Sequence, residues 1–351
     1  MSGNFKLSRR SLLGSAAAAA TLCGLSVIPA FAKASGSIVT SVFGGDYGDI
    51  LRQSVDEAIM APAGVTVTQD VSSTEARQTK LRTERQRRKS SMDVAVLADL
   101  DMYPMAKVGA FTPVTEQNVP RLASVIPALR KEFSVPQIFS YIAILYNPAK
   151  IAMPPTSFAD LWKPEYKGRV GISDNLHVAV SAVATLAAGG TLSDFAPGQK
   201  KLMELKNDQQ AKFFPSNEAI AAALKSEEIW ITVNYVARAY SWRKAGVPIN
   251  HAVASEGAIP IAFEMAVPKN AANEEAAFAY LNAALDPAAQ TAFAEKMGYL
   301  PTVTDANLPP ELEAQIGLPE AARANLARLD NDYLMNHQAE ILDFWNRSFK
   351  G

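Results

Sequence analysis

Apolar and β-branched residues recur along the chain in short runs broken by glycine or proline, and the period of the pattern switches between two and about 3.6. Positions 37–43 read as a strand, Gly44, Gly45, Asp46 and Tyr47 end it, and a helical pattern covers 49–60. Positions 64–68 and 92–97 predict two more strands, with Ser72 and Glu75 spaced as a capping box between them. This β-α-β-α-β order predicts a parallel sheet with helices on both faces, where ligands gather beyond the carboxyl ends of the strands. Those ends carry Gly45, Asp46, Tyr47, Asp99, Asp101 and Tyr103.

Positions 135–147 predict an extended crossing segment, and Pro148, Pro154 and Pro155 then break the pattern, so a lobe boundary is expected there. A second α/β series follows. A strand at 169–172 ends at Ser173, Asp174 and Asn175, and a helix of small residues runs through Ala188. Short segments at 212–214 and 218–224 lead to a strand at 229–233, where Asn234 and Tyr235 open a helix carrying Arg238. A strand at 261–268 brings Phe263 and Glu264, which period-two geometry sends to opposite faces. The helix over 273–285 stops at Asp286-Pro287, because proline cannot continue the ladder. A short helix to Lys296, then Gly298 and Tyr299, precede a helix-rich tail with Trp345.

With 351 residues the chain is too long for one ordinary core and suits two lobes. Hydrophobic residues at 48% and charged residues at 20% are those of a packed globular protein. The first 32 residues are set apart. Arg9-Arg10 in a polar leader, an apolar stretch from Ala16 to Pro29 and the Ala30-Phe31-Ala32 pattern predict a removable twin-arginine signal peptide and a periplasmic destination. Its removal leaves 31 basic and 35 acidic residues, a net charge of −4, which disfavours nucleic-acid binding. The single cysteine, Cys23, falls inside the signal, so disulfides, cysteine zinc sites, iron–sulfur clusters and covalent haem are not expected. No cofactor is anticipated. Between Arg77 and Lys89 lie seven cations and one acid, Glu84, which reads as a solvated helix face or, secondarily, a docking surface. His177, His251 and His337 lack metal-site spacing, and neither a nucleophile elbow nor a phosphate-binding loop occurs.

Four stretches resemble a known family. They are Gly44-Gly45-Asp46-Tyr47; the run from Thr156 through Phe158, Asp160, Leu161, Trp162, Pro164 and Tyr166 to Gly168; Glu256-Gly257-Ala258-Ile259; and Asn273 through Asp286-Pro287 to Gly298-Tyr299. The chain resembles the periplasmic solute-binding proteins of ABC transporters with the type II fold, in their spermidine/putrescine-binding-like branch. That resemblance implies two α/β lobes, each a mixed sheet flanked by helices, joined by two crossing strands. Residues 33–142 and 256–301 would form one lobe and 143–255 the other, with 302–351 packing as helices on the second. It implies a monomer that closes on a small polar solute like a hinge and docks on an inner-membrane permease.

Polyamine-binding relatives hold ammonium groups with cleft carboxylates and stack the chain between aromatic rings. Here Ile261 and Phe263 stand where those relatives have an aromatic and an aspartate, and Asn175 and Val178 stand at two acid positions, with Asp174 one place earlier. Arg238 beside Tyr235 and Asn234 instead suits a carboxylate or phosphonate, so amino-acid-like, opine-like and phosphonate solutes stand beside polyamines. The expected ligand-binding set is thus Gly45, Asp46, Tyr47, Asp99, Asp101, Tyr103, Asp174, Asn175, Asn234, Tyr235, Arg238, Phe263, Glu264 and Tyr299, with no catalytic residue and no metal ligand. An exported hydrolase using dispersed carboxylates and a chemosensory receptor on the same fold are the alternatives.

Overall fold

The computed structural model describes residues 34–324 and 326–351; the expected signal peptide at 1–32 lies outside the described residues. Strands β1 (Gly36–Val42), β2 (Val65–Val71) and β3 (Val94–Ala98) precede the long β4 (Val135–Tyr146). They are followed by β5 (Val170–Ser173), β6 (Lys212–Phe214), β7 (Ile231–Tyr235), β8 (Asn250–Ala252), β9 (Ile259–Ala266) and β10 (Leu300–Pro301). The sheet order is β2-β1-β3-β9-β4-β7-β5-β6, with β8 and β10 also paired to β4. β1 pairs in parallel with β2 and β3, and β5 pairs in parallel with β6 and β7, so two parallel blocks flank a central antiparallel pair.

That central pair is β4 with β9. β4 pairs with β9 from Val135↔Met265 to Ile142↔Ile259, then with β7 from Ile142↔Tyr235 to Tyr146↔Ile231. Every residue of β4 is buried, as expected for a strand covered on both faces, which explains its near-continuous apolar run. The boundary expected after residue 142 therefore falls inside a continuous strand, at the residue that pairs on both sides. The 261–268 expectation is two residues late, because Ile259 and Pro260 already pair with β4.

Three local expectations are corrected. The helix cap is Ser73, whose Oγ accepts the Ala76 N–H, whereas Ser72 contacts the Ser41 hydroxyl at 3.1 Å. The basic stretch is helical only to Glu84, so Arg85 through Lys89 lie in the following turns. Arg77 is not on a solvated face: it is fully buried, donating from Nη1 to the Val42 carbonyl at 2.8 Å and the Ser72 carbonyl at 2.6 Å. Those carbonyls at the ends of β1 and β2 hold the guanidinium inward.

The tail joins the core beside β5 and β7, where Trp345 and Phe349 are buried with Ile172, Val183 and Phe195. Its helix Asn331–Asp343 also reaches helix Asp99–Lys107 through a 3.0 Å ion pair between Lys107 and Asp332.

Gly298 ends helix Pro287–Met297 in the left-handed region at φ 72°, and a Cβ there would lie 2.7 Å from the Tyr240 ring. Gly189 has the same backbone, φ 73°, with no atom within 4 Å of its Cβ position. Gly189→Ala is expected to cost about 1 kcal/mol, the backbone penalty alone. Gly298→Ala is expected to cost about 2–4 kcal/mol, because the ring clash adds to that penalty. Urea unfolding midpoints of the two variants check the difference.

Candidate functional site

Phe43 leaves β1, and the glycine pair, with Gly45 at φ 64°, turns the chain into helix Asp46–Leu51. The turn aims Tyr47 inward, where its hydroxyl donates to Gln137 Oε1 at 3.0 Å. Phe263 arrives from β9 and Tyr299 follows the Gly298 turn. The rings meet edge to face: Phe43 with Tyr47 at 5.4 Å, Phe43 with Phe263 at 5.3 Å, and Phe263 with Tyr299 at 5.4 Å between centroids. The Arg77 guanidinium lies 4.0 Å from the Phe43 ring centre, a cation–π contact. Burial raises the Tyr299 phenol above its ordinary value, and the charge of Arg238 pulls it partly back.

The carboxyl groups follow β3. Asp99 opens helix Asp99–Lys107 and accepts the Leu100 N–H at 2.9 Å and the Ala262 N–H at 3.5 Å. Burial pushes its carboxyl up to about 6, with Lys131 opposing the rise. Asp101 receives the Gln78 side-chain amide at 3.2 Å, and burial together with Glu75 raises it. Glu264 faces away from the aromatic cluster, as the alternation with Phe263 demands. Its Oε2 accepts the Ser134 hydroxyl at 2.6 Å, Oε1 has no hydrogen-bond partner among the described residues, and burial pushes the group up to about 7. Tyr103 stands on the Glu264 side, under the Lys107 ammonium, 5.2 Å from its ring centre.

The opposite wall comes from the ends of β5 and β7. A cavity of about 250 Å³ separates the walls, lined by Asp99, Asp101, Asn175, His177, Tyr235 and, from the tail, Leu329. Burial raises the Tyr235 phenol, and nearby Asp99 adds to the rise. Arg238 lies one turn into helix Val236–Lys244 and is exposed, with no ion pair or hydrogen bond to any described residue.

Besides Glu264 and Tyr103, three more expected site residues lie outside the interlobe cavity. Asp174 is taken by the tail: Trp345 Nε1 donates to it at 2.7 Å and Lys350 Nζ at 2.6 Å, and these contacts hold its carboxyl below the usual range. Asn234 is buried, its amide donating to Asn217 Oδ1 at 2.8 Å while its own Oδ1 accepts the Tyr235 N–H. Asp46 is exposed in an outer groove near Lys296, 3.8 Å away. Arg77, Gln137, His177 and Leu329 were not expected at the site. Among the described residues, no three His, Cys, Asp or Glu side chains converge as a metal site, and no helix is long and apolar enough to cross a membrane.

Residues 55–320 match the family described as bacterial extracellular solute-binding protein. The spermidine/putrescine-binding periplasmic protein of Escherichia coli K12 is 28% identical over 221 residues, 59% of this chain and 62% of that relative's length. An ABC transporter structure from Clostridium perfringens ATCC 13124 superposes with a TM-score of 0.78 at 21% identity, covering 88% of this chain and 99% of the other. A structure named the Atu4243-GABA receptor superposes with a TM-score of 0.75 at 21% identity, covering 89% and 97%. These likenesses show the type II periplasmic-binding-protein fold. By the match over most of its length, the chain belongs to the bacterial extracellular solute-binding protein family.

Proposed function

We propose that this protein captures a small amine that also carries a carboxylate, in the cleft between the two halves of its sheet, and delivers it to an inner-membrane ABC permease. One observation carries the reading: Arg238, exposed and without an ion pair among the described residues, follows three residues after the cavity-lining Tyr235, while Asp99 and Asp101 line the same cavity from the other half. A guanidinium pairs with a carboxylate through two parallel hydrogen bonds, and an ammonium pairs with Asp99, so opposite walls hold opposite ends of one solute. The aromatic cluster supplies an apolar flank for the methylenes between them.

A pure diamine fits less well. Three of its expected acid positions carry none, since Phe263, Asn175 and Val178 stand there, and the neighbouring Asp174 is bound to Trp345 and Lys350. The name of the GABA receptor with the same fold accords with an amino-carboxylate solute. Residues 33–142 with 256–301, and 143–255 with the tail, act as the two closing bodies, and the mature chain works as a periplasmic monomer exported by the twin-arginine route. The solute leaves chemically unchanged, so the hydrolase reading predicts turnover that this one excludes.

Melting curves of residues 33–351, stripped of bound solute, are expected to rise by several degrees with short ω-amino acids. A ligand at 100 times its Kd contributes about 2.7 kcal/mol. Arg238→Ala is expected to weaken that binding about 10–100-fold, the value of a charged hydrogen-bonded pair. A shift with putrescine alone, unchanged in Arg238→Ala, overturns the proposal. Because Asp99 titrates at about 6, amine binding should weaken as the pH falls from 7 to 5. Asp99→Asn should flatten that dependence in a calorimetric titration.

A further inference from the structure

A second cavity, of about 300 Å³, lies beneath helix Asp99–Lys107, on the sheet face opposite the aromatic cluster. Its polar end is Glu264, only 2% exposed, and the buried Oε1 of that carboxyl has no hydrogen-bond partner among the described residues. Asp99 lines this cavity and the interlobe cavity both. Met102, Ala106 and Phe133 form apolar walls, and the Tyr103 ring stands among them. We propose that this cavity is a binding site, distinct from the cleft, for the head and short stem of a small alkylammonium cation.

The chemistry is that of the walls. A buried carboxylate oxygen without a donor is costly, and an ammonium offers three donors in a compact head. The apolar sides suit methylenes and give a hydrated inorganic cation nothing to replace its water. Among the described residues, no three His, Cys, Asp or Glu side chains are placed to hold a metal ion. Helix Asp99–Lys107 also brings Asp101 toward Asp99, and it brings Lys107, whose charge is paired with Asp332. The segment before β4 brings Lys131 and Glu132, both exposed at the rim, and Ser134, which occupies only Oε2. Tyr235 faces Asp99 from β7. The lysine at the rim opposes the rise of both carboxyls without bonding to either.

Ionisation sets the pH dependence. Burial, with Asp99 adding to it, raises Glu264 from an ordinary 4.5 to about 7. The stability that the neutral acid keeps below pH 4.5 is therefore lost as the pH rises through about 7, and a cation restores it by pairing with the charged form. Alkylammonium binding is thus expected at pH 8 and lost toward pH 5.5.

The probe is n-propylammonium chloride, with sodium chloride of equal ionic strength and n-propanol as controls, read by calorimetry and by melting shift on residues 33–351. At pH 8 propylammonium should raise the melting temperature where both controls do not, and its Kd should rise roughly tenfold or more by pH 5.5. Glu264→Gln should abolish the effect, and Ala106→Leu, which fills the cavity while keeping both acids, should abolish it too. Arg238→Ala should leave the propylammonium effect intact while losing the ω-amino acid effect, so the two sites fail independently. An equal shift with sodium chloride, or a propylammonium shift that survives Glu264→Gln or Ala106→Leu, overturns the proposal, as does the absence of any propylammonium-specific shift.

Discussion

The pairing of β4 with β9 and β7 is the constraint on which the rest of the structure depends. Ile142 takes Ile259 on one side and Tyr235 on the other, so the antiparallel ladder passes from one parallel block to the next without leaving the strand. Because β3 pairs with β9, and β7 and β5 follow β4, the carboxyl ends of both parallel blocks are turned toward the same gap. Asp99, Tyr235 and Phe263 each stand there because the strand that carries it is registered against this central pair. Any solute between the halves is met by side chains that one ladder has brought together.

Much of this architecture was legible in local pattern. The glycine turn after β1, the β-branched runs and the Asp286-Pro287 stop each act over a few residues, and they are found at or within about two residues of the expected positions. The alternation at β9 likewise predicts the separation of Phe263, among the rings, from Glu264, beside Ser134. What remained hidden are pairings across long sequence distances. Asp174 looks like a free strand-end acid until Trp345, 171 residues later, donates to it. Glu264 meets Ser134 across 130 residues and Tyr47 meets Gln137 across 90. Arg77 reads as one more cation in a basic run, yet two strand-end carbonyls and the Phe43 ring remove it from solvent. Composition reports such a charge but not the carbonyls that capture it.

The distribution of satisfied and unsatisfied groups separates scaffold from site. Asp56, Asp174 and Asn234 are polar groups near the core, and each has its partners: Tyr280 and Gln69, Trp345 and Lys350, Asn217 and a backbone amide. Partnered in this way, they fix turns and anchor the tail, and little capacity remains for an outside molecule. Arg238 and Glu264 Oε1 are contrary cases, one exposed and one buried, each with bonding capacity to spare, as have Arg77 Nε and Nη2 and Gln137 Nε2. Chemical availability, more than residue type, distinguishes them from Asp56, Asp174 and Asn234.

Asp99 borders two compartments at once, with a single carboxyl between the interlobe cavity and the one beneath its own helix. A group so placed has one proton to give or keep, and either compartment can claim it. A positive charge on one side favours the ionised form and thereby alters the field on the other, while a second positive charge must share the same anion. Linkage would make this influence mutual, so cations in the two compartments would change each other's affinity by an identical factor.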